Sequence, residues 1–167
     1  MKQRAETSKS SPKSSGEQPF HLHEAPLHGT NLVEAAAGTG KTYAIECLFV
    51  RLIVEAGLSV SQLLVVTYTN AATDQLRDRI RRKLRNAVHA LAGGGASDPF
   101  IAEFVRRRDG DAVQKGLCLQ RLQGAIRDFD QASIFTIHGF CRLMLNDFAF
   151  ESGASFQTEL ITDQESL

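Results

Sequence analysis

The stretch NLVEAAAGTGKTY, residues 31–43, decides the fold prediction. Its apolar residues Leu32 and Val33 predict a short strand, which leads into a turn of small residues. In such a turn successive backbone N–H groups can point at one anion, and a helix that begins near Lys41 adds the positive end of its dipole. The stretch is therefore predicted to be a phosphate-binding loop.

The last residues of the loop have separate predicted roles. Lys41 supplies an ammonium group for the β and γ phosphates of ATP, and the hydroxyl of Thr42 is placed to bind Mg²⁺. Ala35 stands where the common pattern G-x-x-x-x-G-K-[ST] has glycine, so the match is to the relaxed form of that pattern. The residues expected to bind the nucleotide are Ala35, Ala36, Ala37, Gly38, Thr39, Gly40, Lys41 and Thr42.

The residues after the loop predict a β-α-β unit. Apolar residues recur at helical spacing from Lys41 to about Glu55, and Gly57 is a plausible end signal for this helix. The next apolar run, residues 63–66, is typical of a strand that is buried on both faces of a parallel sheet. The predicted class is α/β, with a parallel sheet and helices on both of its faces.

Composition sets broad limits on function. The chain has 167 residues, 43% of them hydrophobic, which suits one domain with a real core. Lys and Arg together number 19, as do Asp and Glu, so no overall basic field indicates nucleic acid. Three scattered cysteines favour reduced thiols, and the sequence shows neither a membrane-length apolar run nor a secretory signal. A cytoplasmic protein is expected, with residues 1–19 as a disordered tail.

A second helix is predicted over residues 71–91, with Asn70 as its N-cap. Two interpretations of its basic face remain open. It is either a solvated face partnered by Asp74 and Asp78 or a surface for DNA or another protein. The basic side chains on that face are Arg77, Arg79, Arg81, Arg82, Lys83 and Arg85.

The remaining chain predicts an interruption of the sheet. Glycines at 93–95 break the chain, and two charge-rich helical stretches follow, at 99–108 and 111–128. Strand character returns at 132–136, and another helix begins at His138. The predicted organisation is a tail over 1–19, the first part of the nucleotide-binding domain over 20–92, a helical insertion over 93–130 and a return to that domain over 131–167.

Three separated segments together resemble a known family. They are AAAGTGKT at 35–42, VVTYTNAATDQLRDRI at 65–80 and FTIHGFCRLML at 135–145. In this order they resemble motifs I, Ia and Ib of the UvrD-like superfamily 1 DNA helicases, and within that family they look most like the N-terminal motor domain of the RecB-type exodeoxyribonuclease V beta subunits. The resemblance implies a RecA-like P-loop NTPase fold that is incomplete in this chain.

The resemblance also implies function. Lys41 and Thr42 would bind ATP and Mg²⁺, and ATP hydrolysis by the whole protein would drive translocation along single-stranded DNA and unwinding in recombinational double-strand break repair. Exonuclease activity and the other subunits of a RecBCD-like complex are implied in the same way. The positions that would contact DNA are Thr67, Tyr68, Thr69, Asn70, Thr136 and His138.

Plainer interpretations stand beside these roles. Thr67, Thr69 and Asn70 could simply form a strand end and an N-cap, and His138 could be an ordinary helix-start residue. Aromatic residues at helical spacing favour the core over base stacking. Those residues are Phe135, Phe140 and Phe148.

A complete motor also needs paired carboxylates after an apolar strand. We find no such strand, since Asp128 and Asp130 follow a helix. The chain is therefore expected to be the leading piece of a longer protein, with exposed sheet edges and apolar surface, that binds nucleotide without hydrolysing it. The rival hypotheses are a truncated nucleotide- or DNA-binding remnant and a small P-loop kinase or NTPase.

Overall fold

The computed structural model describes residues 20–34, 36 and 38–148. The described part is mixed α/β, as predicted, and represents a partial P-loop NTPase-like fold. It has five α-helices and two strands: α1 Lys41–Val54, β1 Leu64–Thr67, α2 Asn70–Leu91, α3 Pro99–Arg106, α4 Ala112–Arg127, β2 Ser133–Thr136 and α5 Ile137–Asp147. Two short 3₁₀ turns lie at Val60–Gln62 and Phe129–Gln131.

The sheet of the described chain consists of β1 and β2, which run parallel. Leu64 is paired with Ser133 at one end and Thr67 with Thr136 at the other. One face is covered, since Ile134 is fully buried and the guanidinium of Arg77 in α2 donates to the Ile134 carbonyl at 2.9 Å. Helix α2 thus packs against both strands on one face of the sheet.

The opposite face of the sheet corrects one expectation. The strand at 63–66 was predicted to be buried on both faces, but Leu64 and Val66 are 49% and 40% exposed. Successive side chains in a strand point to opposite faces, and α2 covers only one of them. The predicted exposure of apolar sheet surface is confirmed in the described chain.

The predicted strand at Leu32–Glu34 is not a strand in the structure. Its backbone joins neither β1 nor β2, and Leu32 is 84% exposed. A strand exists only through ladder hydrogen bonds to a neighbour, so an apolar pair without a partner remains an extended connection.

Helices α1, α2, α3 and α4 form one core. Its fully buried side chains include Ile53 of α1, Ile80 and Leu84 of α2, Phe104 of α3 and Leu122 of α4. The apolar spacing that predicted α2 is confirmed, because four of its positions are buried and two more pack against the core. These positions are Leu76, Ile80, Leu84, Ala87, Val88 and Leu91.

The helix starts follow simple capping chemistry, with one difference from prediction. Asp98 and Asp111 cap α3 and α4 by accepting from the backbone N–H of Ile101 and Gln114. Helix α2 is capped by Thr69, whose hydroxyl accepts from Ala72 N, and not by Asn70. Asn70 is instead the first helical residue, because the backbone is still extended at Thr69.

Candidate nucleotide and DNA site

The phosphate loop ends at the start of α1, as its sequence predicts. Gly38 and Gly40 have φ angles of 78° and 94°, a region that residues with a side chain rarely adopt. Gly40 is the N-cap of α1 and has no side chain with which to cap it. The first N–H groups of α1 therefore lack a side-chain cap, which is what an anion site at a helix start requires.

The polar side chains of the loop point back at the loop itself. The ammonium of Lys41 donates to the carbonyl of Ala36 at 2.7 Å, and the hydroxyl of Thr39 donates to the same oxygen at 2.6 Å. Lys41 is exposed and Thr42 is half-buried. The Lys41 ammonium, the hydroxyls of Thr39 and Thr42, two glycines with left-handed backbone and an uncapped helix start together fit a triphosphate with Mg²⁺. Ala35 and Ala37, also expected to bind the nucleotide, lie outside the described residues.

The second predicted segment lies at the carboxyl end of β1. Tyr68 is 77% exposed, and its neighbours Thr69 and Asn70 are exposed too. Thr67 is held more firmly, since its hydroxyl lies 2.5 Å from the hydroxyl of Thr73 and 3.2 Å from the carbonyl of Thr69. The hydroxyl of Thr69 already caps α2. In the described chain Thr69 is therefore an N-cap, which was the alternative to a DNA contact.

The third segment lies at the carboxyl end of β2. Thr136 caps α5 by accepting from the backbone N–H of Gly139 at 3.0 Å. A Cβ at position 139 would lie 3.1 Å from that hydroxyl, so glycine suits the close approach. His138 is exposed in the first turn of α5, next to Ile137.

The sheet brings the second and third segments together. Thr67 and Thr136 are register partners, and neighbouring strands lie about 4.8 Å apart. Tyr68 and Ile137 therefore leave the same edge of the sheet side by side. Carboxyl ends of parallel strands are where open α/β sheets gather ligands, so the geometry suits a shared binding surface.

Three aromatic residues in and just after the third segment are less buried than predicted. Phe135 and Phe140 are half-buried, and Phe148 is half-exposed. The prediction of a core position is wrong for Phe148. Helix α5 has no buried residue, because in the part of the chain that the structure describes it packs mainly against the two strands.

The basic face of α2 divides into paired and exposed side chains. Arg81 pairs with Asp130 at 2.6 Å, and Arg79 with Glu46 at 3.5 Å. These acids lie on other elements and are not the Asp74 and Asp78 of the solvated-face interpretation, because tertiary packing brings Glu46 and Asp130 closer. Arg82 and Arg85 remain exposed. Arg77 is exposed as well, although its guanidinium donates to the Ile134 carbonyl. The choice between a solvated face and a partner surface thus stays open for the exposed side chains of this face.

Sequence reasoning missed a buried polar cluster beside the first turn of α1. Lys83 is 5% exposed, and its ammonium lies 2.6 Å from Oδ2 of Asp98 and 3.6 Å from Oε2 of Glu46. Tyr43 completes the cluster by donating its hydroxyl to Asp98 at 3.0 Å. A capping pattern, Asp98 before Pro99, could have located the start of α3, but nothing in the sequence pairs it with Lys83.

Further features bear on the class of protein. The three cysteines are free thiols, as predicted, and burial raises the pKa of the Cys47 thiol to about 12. Among the described helices, none combines the length and apolar character needed to cross a bilayer. Within residues 38–148, both strands end in threonine and neither ends in paired carboxylates.

Comparison with known proteins agrees with this geometry. The model of the UvrD/REP helicase N-terminal domain family matches residues 17–167. The chain is 42% identical to the RecBCD enzyme subunit RecB of Escherichia coli over 85% of its length, which is 12% of that protein. It is 39% identical to the same subunit of Haemophilus influenzae, with 89% of this chain and 13% of the relative covered.

A third relative, RecB of Mycobacterium tuberculosis, is 35% identical over 83% of this chain and 13% of its own length. The chain thus spans about an eighth of the curated relatives that it matches. The family match includes the phosphate loop and both strand-end segments, and residues 1–16 lie outside it. The chain therefore belongs to the UvrD/REP helicase N-terminal domain family.

Proposed function

We propose that this chain is the ATP-binding N-terminal portion of a RecB-type ATP-dependent DNA helicase and exodeoxyribonuclease. The observation that carries the proposal is the open start of α1, where left-handed Gly40 precedes Lys41 and Thr42. Membership of the helicase family supports it independently. The cofactors are ATP and Mg²⁺.

In this proposal the loop residues bind the triphosphate. The ammonium of Lys41 leaves the carbonyl of Ala36 and moves to the β and γ phosphates, and the hydroxyl of Thr42 binds Mg²⁺. The backbone N–H groups of residues 38–42 supply further donors, strengthened by the α1 dipole. In the whole protein, hydrolysis of ATP held in this way would supply the free energy for movement along DNA.

The strand-end surface holds single-stranded DNA in this proposal. Exposed Tyr68 stacks on a base, and Asn70, His138 and the backbone at the two helix starts contact the phosphates. Thr69 and Thr136 act mainly by capping α2 and α5, since their hydroxyls are already engaged. The register pairing of Thr67 with Thr136 supports one continuous surface.

The whole protein would translocate along single-stranded DNA, unwind duplex DNA, and act with its exonuclease in double-strand break repair in the cytoplasm. Its partners would be the other subunits of a RecBCD-like complex. The support is the printed name of the relatives, RecBCD enzyme subunit RecB, shared by matches from several organisms. The chain spans about an eighth of those proteins, so these activities belong to the proposal for the whole protein.

Binding without turnover is the second candidate for these 167 residues. Phosphoryl transfer needs a carboxylate to organise Mg²⁺ and the attacking water. In the described chain, the residues after β1 and β2 are Tyr68 and Ile137. We therefore expect ATP binding by this chain with no release of phosphate above background.

The first test is ATP binding measured by calorimetry in the presence of Mg²⁺. Lys41→Ala should weaken binding by more than about tenfold, since the charge that pairs with the phosphates is lost. The matched control is Lys115→Ala, a lysine on α4 paired with Asp109. Equal affinity in the wild-type chain and Lys41→Ala would refute the nucleotide site.

The second test is binding of a short oligothymidylate by fluorescence anisotropy. Tyr68→Ala should cost about 1–3 kcal/mol of affinity if this ring stacks on a base. Phe20→Ala is the control, because Phe20 is also an exposed aromatic but lies in the segment before the loop. Equal losses in both variants would argue against a stacking role for Tyr68.

A further inference from the structure

The first turn of α1 is attached to the rest of the fold by the side chain next to the proposed Mg²⁺ ligand. Tyr43 directly follows Thr42 and donates its hydroxyl to Oδ1 of Asp98 at 3.0 Å. The ammonium of Lys83 lies over the Tyr43 ring, 3.8 Å from its centre. Helices α2 and α3 thus both contact one residue of this turn.

Asp98 connects these groups. One of its oxygens accepts from Lys83 at 2.6 Å, and the other accepts from Tyr43 and from the backbone N–H of Ile101, which it caps. Burial opposes its ionisation, but the hydrogen bond and charge of Lys83 with the other two donors outweigh that effect and lower the pKa of Asp98. Burial and the bond to Asp98 raise the pKa of Tyr43, so its hydroxyl stays a donor.

A second attachment lies one turn further along α1. Glu46 is buried, with its carboxylate 3.6 Å from the ammonium of Lys83 and 3.5 Å from the guanidinium of Arg79. Residues at i and i+3 share one side of a helix, so Tyr43 and Glu46 present the same side of α1 to α2. Lys83 therefore contacts α1 at two successive turns.

These side contacts matter because the loop itself gives α1 little support. Residues 32–34 join no strand in the described chain, and Leu32 is largely exposed. Gly40 begins the helix without a side-chain cap. The placement of Lys41 and Thr42 therefore depends on what holds the next residue, Tyr43.

We propose that Tyr43, Lys83 and Asp98 are positioning residues for the phosphate loop. They fix the first turn of α1 against α2 and the start of α3. The Lys41 ammonium and the Thr42 hydroxyl are thereby held where they can reach the triphosphate and Mg²⁺. None of the three needs to touch the nucleotide. This inference rests on the proposed nucleotide-binding function and specifies how the same site is held in place.

The test uses two variants of the cluster and one matched control. Tyr43→Phe removes only the hydroxyl that bonds Asp98, and Lys83→Met removes the shared cation. The control is Arg121→Met, because Arg121 on α4 donates to the carbonyl of Val54 at the other end of α1. Should Lys83→Met fail to fold, Tyr43→Phe still gives the answer.

Two measurements are made on each variant, well below its unfolding temperature. The first is ATP affinity with Mg²⁺, expected to fall about fivefold or more in Tyr43→Phe and Lys83→Met but not in Arg121→Met. The second is hydrogen exchange of single amides in the nucleotide-free chain. Exchange should speed up at Ala44, whose N–H bonds Gly40 O, and not at Glu55, whose N–H bonds Arg51 O. Arg121→Met should do the opposite.

The outcomes separate this inference from the function on which it rests. Unchanged affinity in Tyr43→Phe and Lys83→Met, with a wild-type chain that binds ATP, overturns the positioning role. A wild-type chain that binds no ATP refutes the proposed function, and Ala44 exchange then decides whether the cluster holds the loop. Unchanged exchange at Ala44 overturns the inference in that case too.

Discussion

The two ends of α1 are held in different ways. At its start, Gly40 leaves backbone N–H groups without a side-chain cap, and the restraint comes from the side, through Tyr43 and Glu46. At its end, Arg121 donates directly to the carbonyl of Val54, and Arg51 binds Glu55. A helix end that is to bind a ligand must keep its own backbone groups available. The hydrogen-bonding groups of the far end can all be used within the protein, and we call this the saturated end of α1.

Arg51 extends the saturated end to the segment before the loop. Its buried guanidinium donates to the carbonyls of Leu22 and Ala25 at 2.8 and 2.7 Å. His23 between them stacks on Phe100 of α3, with ring centres 4.4 Å apart. The chain that leads into the phosphate loop is thus anchored at the end of α1 that is remote from the loop.

The largest expected effect on stability is at the cation beside the loop end. Lys83→Met leaves the buried carboxylate of Glu46 and the partly buried carboxylate of Asp98 without this cation, and breaking a buried pair costs about 3–5 kcal/mol. The free energy of unfolding in urea measures this loss. Arg82→Met, an exposed neighbour on α2, should change that free energy by less than about 0.5 kcal/mol. Similar losses in both variants would mean that the loop end is held no more firmly than an ordinary surface.

The next effect concerns the saturated end. Gly57 has a φ angle of 71°, and a Cβ there would lie 3.1 Å from the guanidinium of Arg121. Gly57→Ala should lower the free energy of unfolding by about 1–2 kcal/mol, mainly through the left-handed backbone. ATP affinity should stay unchanged, because the strain lies at the end of α1 away from the loop.

Gly95→Ala is the control for this change. Position 95 has neither a left-handed φ angle nor an atom within 4 Å of an added Cβ. Its unfolding free energy should stay close to that of the wild type. A loss of ATP affinity in Gly57→Ala would show that the two ends of α1 are not independent.

A smaller effect tests whether a capped start behaves differently from the open start of α1. Thr69→Ala removes the cap of α2 and should cost about 1 kcal/mol of unfolding free energy. Asn70→Ala should cost less, because Asn70 is the first residue inside the helix. The reverse order, measured by thermal unfolding, would restore the capping role that the sequence predicted for Asn70.

The smallest effect is a pH dependence at the anchored segment. Burial, together with the nearby charge of Arg107, lowers the pKa of His23, although Glu103 and Glu55 act in the opposite direction. The unfolded chain therefore binds this proton more readily, so the contribution is complete above about pH 6.5 and is lost as pH falls through the lower folded pKa. Urea unfolding at pH 7.5 and 5.5 measures it.

His23→Gln should flatten this pH dependence, while ATP affinity at neutral pH stays the same. The difference in unfolding free energy between the two pH values should shrink in the variant. An unchanged difference would assign the pH dependence to other groups and leave the stacked His23 as packing alone.

Local patterns in the sequence predicted much of this molecule. Helix positions, the parallel strands at β1 and β2 and the glycine turn before Lys41 all follow from periodicity and backbone preference over a few residues. The strand predicted at 32–34 does not form in the described chain, because a strand depends on a hydrogen-bonded neighbour and local sequence does not show whether that neighbour is present. The prediction that β1 is buried on both faces was wrong for a related reason, because an apolar run does not show which elements will cover each face.

The sequence by itself determined the family and, to within a residue or two, where the helices lie, and it predicted the glycine turn before α1, because these depend on short-range chemistry. Only the tertiary structure decided that Thr67 and Thr136 stand side by side, and that Lys83 joins Tyr43, Glu46 and Asp98. Lys83 and Asp98 lie on either side of the glycine loop at 93–95, and Lys83 on α2 meets Tyr43 and Glu46 on α1. Such contacts form where packing brings elements together, which no local pattern encodes.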